Sequence, residues 1–424
     1  MDFLEFLNES VTPYHTVAAL KALLSQPAAG SLKFWERGGA LIAVRMPKAP
    51  CADSKFRIAL AHTDFPTLKI TPNPDCRAAG VQTLHPEIYG SPIFASWLDR
   101  DLGYAGILAY EACGKVETRV FRSDRLVRIP QLAVHMNRGV NQDGLKVNPQ
   151  TDLNALWTSR EGAKFVDALK KELPEGAELL DFDVQLFDAQ PAQLGGLDNE
   201  WIYSGRLDNL SSCHAVATAL ACAPVPEKDF LVAAFFNNEE VGSETREGAA
   251  GNFLKSVLDS IVSFGYSRMT CLPGAEGDRV QESASVPNLA DVLSSSLALS
   301  IDMAHAEHPN FTQKHDQNHA PILGEGVVLK TNSQKRYASD VFSNAQFKLL
   351  CNRAGVPYQT FVMRNDMPCG STVGPAISAS LGIPTVDIGE PMLSMHSVRE
   401  MTAVKDHESM TRLVSAFFAP LGEC

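Results

Sequence analysis

The run Phe230–Phe236, which reads FLVAAFF, decides the fold class of this sequence. All of its side chains are apolar, so the strand that it predicts must be covered on both faces, as in a sheet with helices on each side. Further strand-like runs occur at Arg57–Ala61, Leu297–Ile301 and Pro384–Ile388. After residue 200, strand-like and helix-like segments alternate, which predicts an α/β fold with three layers, α/β/α.

The middle of the chain has a different sequence pattern. Between about residue 75 and residue 195, short β-like runs such as Val116–Val120 alternate with turns rich in Gly, Pro and Asn. The Pro-rich stretch Thr71–Pro74 precedes this region, and Gln193–Gly196 closes it. We therefore predict one discontinuous domain, residues 1–74 and 196–424, interrupted by a smaller β-rich domain at residues 75–195.

Composition excludes several classes of function. The chain has 424 residues and a formal net charge of −12, and nucleic-acid binding instead requires clustered Lys and Arg. The longest apolar run has seven residues, far below the roughly 20 that span a membrane. The nine cysteines are never spaced as CxxC, which argues against a disulfide framework or a cysteine zinc site. Acidic residues stand where a signal peptide would be basic, so we expect a cytoplasmic protein that binds neither nucleic acid nor membrane.

Metal-ligating side chains follow the strand-like runs. His62 follows the first run, Glu240 the FLVAAFF run, Asp302 the next, and His396 comes after the last. Ligands of α/β sheets bind outside the carboxyl ends of the strands, where these side chains should meet. Asp208, in the segment GRLDN, is a fifth candidate. Each residue alone has an ordinary explanation as a cap or a surface group, and only the joint pattern indicates a metal site.

Charge balance favours two divalent ions over one. Three carboxylates (Asp208, Glu240 and Asp302) and one bridging hydroxide would offset a charge of +4. Without metal, carboxylates crowded in a cleft would repel one another. A ligand set of oxygens and imidazoles without thiolate suits zinc, with cobalt or manganese as substitutes.

The adjacent residues Glu239 and Glu240 are predicted to have different roles. Adjacent side chains on an extended backbone point in opposite directions, so Glu240 as a ligand leaves Glu239 free to take a proton from water. Asp64 lies two residues after His62, on the same side of an extended chain. It is therefore placed to accept the second ring N–H of His62 and fix its tautomer.

Six stretches along the chain resemble the aspartyl aminopeptidase family, cytosolic di-zinc peptidases. They are His62–Leu68, Trp97–Leu102, Asn238–Ser243, Asp302–Asn310, Asn365–Thr372 and Met395–Glu400. The resemblance implies a metallopeptidase domain interrupted by a β-rich oligomerisation domain, and assembly as a tetrahedral homododecamer. It also implies hydrolysis of N-terminal Asp and Glu from peptides by a hydroxide bound to two metal ions.

The same resemblance assigns roles to individual residues. One metal would be held by His62 and Asp302, the other by Glu240 and His396, and both by Asp208. Glu239 would be the general base, and Asp64 would orient His62. His305, Lys330 and Tyr337 match positions that contact the substrate. His135 matches a histidine that the inserted domain contributes to the active site of a neighbouring subunit.

One position departs from the family pattern. The family usually has Asp-Asn-Glu-Glu where this sequence has Asn237-Asn238-Glu239-Glu240. The change removes neither a ligand nor the base, although it could alter metal affinity or pH dependence.

Two alternatives remain open at this point. The same chemistry could prefer neutral N-terminal residues, because the sequence does not define the shape of the specificity pocket. The chain could instead be a non-catalytic assembly or cargo scaffold with structural metals, although structural zinc sites are normally closed and lack a spare Glu.

Overall fold

A computed structural model of the protein describes residues 1–25, 32–51, 53–267 and 288–419. Its strands, in chain order, are β1 Leu32–Arg37, β2 Ala40–Arg45, β3 Phe56–His62, β4 Thr67–Ala78, β5 Val81–Tyr89, β6 Leu102–Ala112, β7 Lys115–Val127, β8 Ala155–Thr158, β9 Glu178–Asp188, β10 Gln193–Gly195, β11 Trp201–Ser204, β12 Phe230–Phe236, β13 Leu297–Ile301, β14 Ala304–His305, β15 Val327–Lys330, β16 Tyr358–Phe361, β17 Thr385–Gly389, β18 Pro391–Leu393 and β19 Glu400–Ala403.

The α-helices are α1 Phe3–Glu9, α2 Pro13–Leu24, α3 Phe94–Trp97, α4 Val140–Asp143, α5 Phe165–Leu169, α6 Leu207–Cys222, α7 Phe253–Ser267, α8 Leu289–Ser294, α9 Val341–Ala354, α10 Val373–Leu381 and α11 Val404–Phe418. Local sequence accounts for several helix starts. Thr12 caps α2 by accepting from the His15 N–H, with Pro13 as the first helical residue. Asp340 and Ser343 form a reciprocal capping box at the start of α9.

The largest sheet has eight strands in the order β1-β2-β12-β3-β13-β17-β15-β16. The strand β12 coincides with the FLVAAFF run, and all seven of its residues are buried. Leu231 and Phe235 pack into a core shared with α2, α6, α9 and α11, whereas Phe230 and Phe236 pack into a second core with α7, α8 and α10. The three-layer α/β/α prediction is therefore confirmed, and the uniform apolarity of β12 results from this burial on both faces.

The second sheet has six strands in the order β7-β6-β9-β4-β5-β8 and its own apolar core. Its first strand, β4, begins at Thr67, and the stretch Thr71–Pro74 lies inside that strand, where its pairing with β5 is interrupted between Ile70 and Asp75. Proline cannot donate to a ladder, which accounts for an irregularity at this point. The predicted edge of the insertion at residue 74 thus falls within a strand.

A smaller sheet with the order β10-β11-β19-β18-β14 joins distant segments of the chain. It places β18 and β19, and the turn between them that carries His396, beside β14. Among the residues that the structure describes, no helix is long and apolar enough to cross a membrane.

Candidate metal centre

Strand order brings the predicted ligands to one edge of the large sheet. The neighbouring strands β12, β3 and β13 run parallel, so their carboxyl ends meet. His62 is the last residue of β3, and Asp302 directly follows β13. Glu240 lies in a single 3₁₀ turn, Glu239–Val241, just beyond β12. Asp208 is in the first turn of α6.

The five side chains form two sets that share Asp208. In the first set, His62 Nε2 lies 3.5 Å from Asp208 Oδ1 and 3.5 Å from Asp302 Oδ1. In the second, His396 Nε2 lies 3.5 Å from Asp208 Oδ2 and 3.5 Å from Glu240 Oε2. Each carboxylate oxygen of Asp208 therefore belongs to a different set.

These separations fit a divalent metal. Two ligands about 2.0–2.1 Å from a zinc ion at a tetrahedral angle lie about 3.3 Å apart. Asp208 Oδ1 is buried and accepts no hydrogen bond from the described residues, although His62 Nε2 lies 3.5 Å away. Ligating atoms of His62, Asp208 and Glu240 lie within 4.8 Å of one another. A buried carboxylate oxygen without a partner is costly unless a cation satisfies it, so the donor set suits a metal.

The electrostatics of the cluster are those of a site that needs positive charge. Burial favours neutral forms, yet the carboxylates of Asp208 and Asp302 raise the pKa of His62 well above its ordinary value. His396 likewise has its pKa raised to about 10, chiefly by Asp208 and Glu240, which outweigh burial. The pKa of Glu240 is raised by burial and by Asp208. Positive charge is therefore strongly stabilised between these carboxylates.

The Asp64 carboxylate connects β3 to the Glu239-Glu240 turn. It accepts the backbone N–H groups of Glu239 and Glu240 at 3.1 Å each and the Tyr89 hydroxyl at 2.7 Å. His62 Nδ1 lies 3.0 Å from the Asp64 carbonyl oxygen and 3.4 Å from its carboxylate. The backbone of Asp64 thus makes the shorter contact with His62, and either acceptor directs Nε2 toward the other ligands.

Glu239 lines the cleft that lies beside the two ligand sets, and it belongs to neither set. Burial raises its pKa to about 8; Asp302 and Asp208 add to the shift, and His62 opposes it. Positive charge bound among these carboxylates would favour the ionised form of Glu239, which is the form that accepts a proton.

Glu400 is a site residue that sequence reasoning did not single out. Its side chain is buried and accepts the backbone N–H groups of His396 at 2.7 Å and Asp208 at 3.1 Å. One carboxylate therefore joins two segments that each carry a predicted metal ligand. No local pattern predicts this, because the three residues meet only in the folded chain.

The cleft beside the ligands has a volume of about 540 Å³, and its wall includes His305, Lys330, Arg336 and Tyr337. Lys330 is buried; its Nζ donates to the Met303 carbonyl at 3.0 Å and lies 3.8 Å from Asp302 Oδ2. Burial and the Lys330 charge lower the pKa of His305 to about 4, so its imidazole is neutral at pH 7. The sequence pattern does not predict that Arg336 lines the cleft. Its position next to Tyr337, a predicted substrate-contacting residue, is the signal that could have indicated it.

His135 does not line this cleft in its own chain. It lies in an exposed segment between β7 and α4, with Leu132, Val134 and Met136 exposed on either side.

Asn237, where the resemblance leads us to expect an acid, does not line the cleft. It is buried, and its Nδ2 donates to Glu247 Oε2 at 2.9 Å, while Oδ1 accepts the Asn238 N–H at 2.9 Å. Glu247 Oε2 also accepts the Gly39 N–H at 2.8 Å. An amide at position 237 is therefore the natural partner for the carboxylate of Glu247.

Comparison with known proteins identifies the class to which this fold and ligand set belong. Residues 6–418 match the family model described as aminopeptidase I zinc metalloprotease (M18). The chain therefore belongs to the M18 family of metallo-aminopeptidases.

Individual relatives agree over nearly the full length. A probable M18 family aminopeptidase 2 of Streptomyces coelicolor is 38% identical over 440 residues, 99% of this chain and 97% of the relative. A chain in the cryo-EM structure of the Ape4 and Nbr1 complex is 33% identical, with a TM-score of 0.87 over 98% of this chain and 84% of its own. The S. cerevisiae mApe1 dodecamer is 26% identical, with a TM-score of 0.79 over 98% and 95% of the two chains.

Proposed function

We propose that this metallo-aminopeptidase uses two divalent ions, preferably zinc, to remove N-terminal Asp and Glu residues from peptides. The observation that carries the proposal is the pair of ligand sets that share Asp208, beside a cleft whose wall contains the cations Lys330 and Arg336. A site with shared carboxylates and an adjacent free acid is typical of catalysis, whereas a structural zinc site is closed. This argues against the scaffold alternative.

Each ligand set would hold one ion. His62, Asp302 and Asp208 Oδ1 form one set, and His396, Glu240 and Asp208 Oδ2 form the other. When bound, two ions lower the pKa of the attacking water and polarise the scissile carbonyl.

The chain's own residues supply the remaining parts of the reaction. Glu239 takes the proton from the attacking water and gives it to the leaving amine, a role that fits its position in the cleft beside both ligand sets. Asp64 holds Glu239 in place through its backbone N–H, and it holds the His62 ring in the tautomer that leaves Nε2 free.

Specificity for acidic residues rests on Lys330. Within the described part of the chain, its ammonium approaches one carboxylate, that of Asp302, at 3.8 Å, beyond hydrogen-bonding distance. A substrate carboxylate in the cleft would therefore find a buried cation that makes no hydrogen bond to a carboxylate of the described residues, and burial strengthens such a pair. The overall charge of −12 does not attract acidic peptides, so the selectivity has to be local.

Replacement of Lys330 tests this preference. The variant Lys330→Met keeps the length of the side chain and removes the charge, so turnover of an Asp-anilide should fall at least tenfold relative to a Leu-anilide, the size of a partly buried charge pair. Lys335→Met is the matched control, because Lys335 does not line the cleft. An unchanged Asp-to-Leu ratio in Lys330→Met would favour the neutral-residue alternative.

We also propose that the chain forms a cytoplasmic homododecamer in which the segment around His135 reaches a neighbouring subunit. The mApe1 relative is a dodecamer, and Leu132, Val134 and Met136 expose apolar surface around His135. Mixing two inactive variants, His135→Ala and Glu239→Gln, in one assembly should restore activity, because some sites then receive an intact His135 from one subunit and Glu239 from another. Failure to restore activity in mixed assemblies would contradict the shared site.

A further inference from the structure

A second cavity adjoins the catalytic cleft, and we call it the methionine cavity. It has a volume of about 230 Å³, and its wall includes Phe361, Met363, Met367 and Met392. His305 and Met395 belong to the walls of both the cleft and this cavity, so the two spaces meet there.

The chemistry of the methionine cavity differs from that of the cleft. Phe361 and Met392 are 2% and 1% exposed and form its inner part, whereas Met367 is 37% exposed at its mouth. Arg364, on the same wall, is engaged by both carboxylate oxygens of Asp366, at 2.8 and 2.6 Å. Methionine side chains are flexible and polarizable, and they suit a surface that accepts apolar groups of varied shape.

The size of the methionine cavity fixes what it can hold. Small-molecule sites usually enclose about 300–1,000 Å³, so a cavity of about 230 Å³ suits part of a ligand whose remainder lies in the adjoining cleft. The buried cation Lys330 lines the cleft and not this cavity, so an acidic N-terminal residue belongs in the cleft. An aminopeptidase substrate has nothing before its first residue, and its remaining groups lie downstream.

We propose that the methionine cavity binds an apolar side chain from the second or third residue of the peptide substrate. This inference rests on the proposed function, since it takes the N-terminal residue to occupy the cleft. The enzyme then selects peptides by two features, an acidic first residue and an apolar residue shortly after it.

The test compares peptides that differ only in the downstream residue. In the series Asp-Xaa-Ala-Ala and Asp-Ala-Xaa-Ala, Xaa is Leu, Met, Ala or Glu, and kcat/KM is measured for each peptide. At one of the two positions, Leu and Met should exceed Ala by roughly tenfold, the size that burial of the additional methylene groups supports. Glu should fall below Ala there.

A pair of variants assigns the effect to the methionine cavity. Met367→Glu places a charge at its mouth and should bring the Leu-to-Ala ratio close to one. Leu197→Glu introduces the same charge at a position that is 93% exposed and lines neither space, and it should keep the wild-type ratio. A wild-type ratio in Met367→Glu would overturn the assignment.

A binding measurement separates this inference from the proposed function. The same peptides with a reduced, uncleavable first bond are titrated calorimetrically against the metal-loaded enzyme, where Leu should bind roughly tenfold more tightly than Ala. If Asp peptides are cleaved without regard to the downstream residue, the inference is wrong and the proposed function stands. If no peptide is cleaved, the proposed function is wrong, and equal affinities for Leu and Ala would also refute the inference.

Discussion

Replacement of Glu400 should weaken metal binding without removing a ligand. Glu400 accepts the backbone N–H groups of Asp208 and His396, so Glu400→Ala leaves one buried and one partly buried donor without partners. Each such donor costs about 1–3 kcal/mol, and its segment will shift to find another partner. Loss of contacts that orient metal ligands typically costs about 10- to 100-fold in metal affinity. We therefore predict a loss of zinc affinity in that range, with Glu400→Gln intermediate because one acceptor oxygen remains.

The assay needs a control that separates metal binding from stability. Asp406 is also buried and accepts two backbone N–H groups, from Gly324 at 2.6 Å and Gly326 at 2.9 Å, neither of which is in a metal ligand. Asp406→Asn should therefore lower the free energy of unfolding and leave zinc affinity unchanged. Zinc affinity is measured by competition with a chromophoric chelator, and the visible spectrum of the cobalt-loaded enzyme reports on ligand geometry. Wild-type affinity and spectrum in Glu400→Ala would refute the reasoning.

Three further predictions concern proton transfer, stability and pH. Glu239→Gln should lower kcat by about 10²–10⁴-fold, the usual worth of a general base, while metal content stays normal; near wild-type turnover would exclude this role. Asn237→Asp replaces a hydrogen bond to Glu247 with like-charge repulsion, so it should lower the free energy of unfolding at pH 7 by about 1–3 kcal/mol. The double variant with Glu247→Gln should recover this loss, and urea denaturation measures both changes. Burial raises the pKa of Asp406 to about 7, so its contribution to stability is complete below about pH 4 and is lost as the pH rises through 7. Wild-type protein should accordingly lose stability relative to Asp406→Asn across this window, and equal pH profiles of the two proteins in urea denaturation would contradict the raised pKa.

The sequence predicts the large sheet well because its signal is local. The strand β12 must be apolar on both faces, and this requirement shows in seven consecutive residues. The six-stranded sheet has no such signal at its start, where β4 runs through Pro72 and Pro74. Two prolines indicate a boundary on local grounds, yet the strand continues because its pairing with β5 shifts register around them.

The site residues likewise differ in whether local sequence predicts them. His62 and Asp302 stand at the ends of adjacent parallel strands, so strand ends alone bring them together. The role of Glu400 depends on hydrogen bonds between segments almost 200 residues apart in sequence, about which local patterns carry no information. The role of Asp208 is only partly predictable from local sequence. An Asp at the start of a helix is common, and Asp208 differs from other such residues by its contacts with both His62 and His396.

The most direct test of the proposed function is hydrolysis of aminoacyl-anilides of Asp, Glu, Leu, Ala and Arg, with chelator and with added zinc, cobalt or manganese. We predict metal-dependent cleavage that is confined to the Asp and Glu substrates and abolished by chelator. Metal-dependent cleavage that favours Leu would contradict the role of Lys330 as the selector of acidic residues. Absence of cleavage with every metal would contradict catalysis at the site built around Asp208.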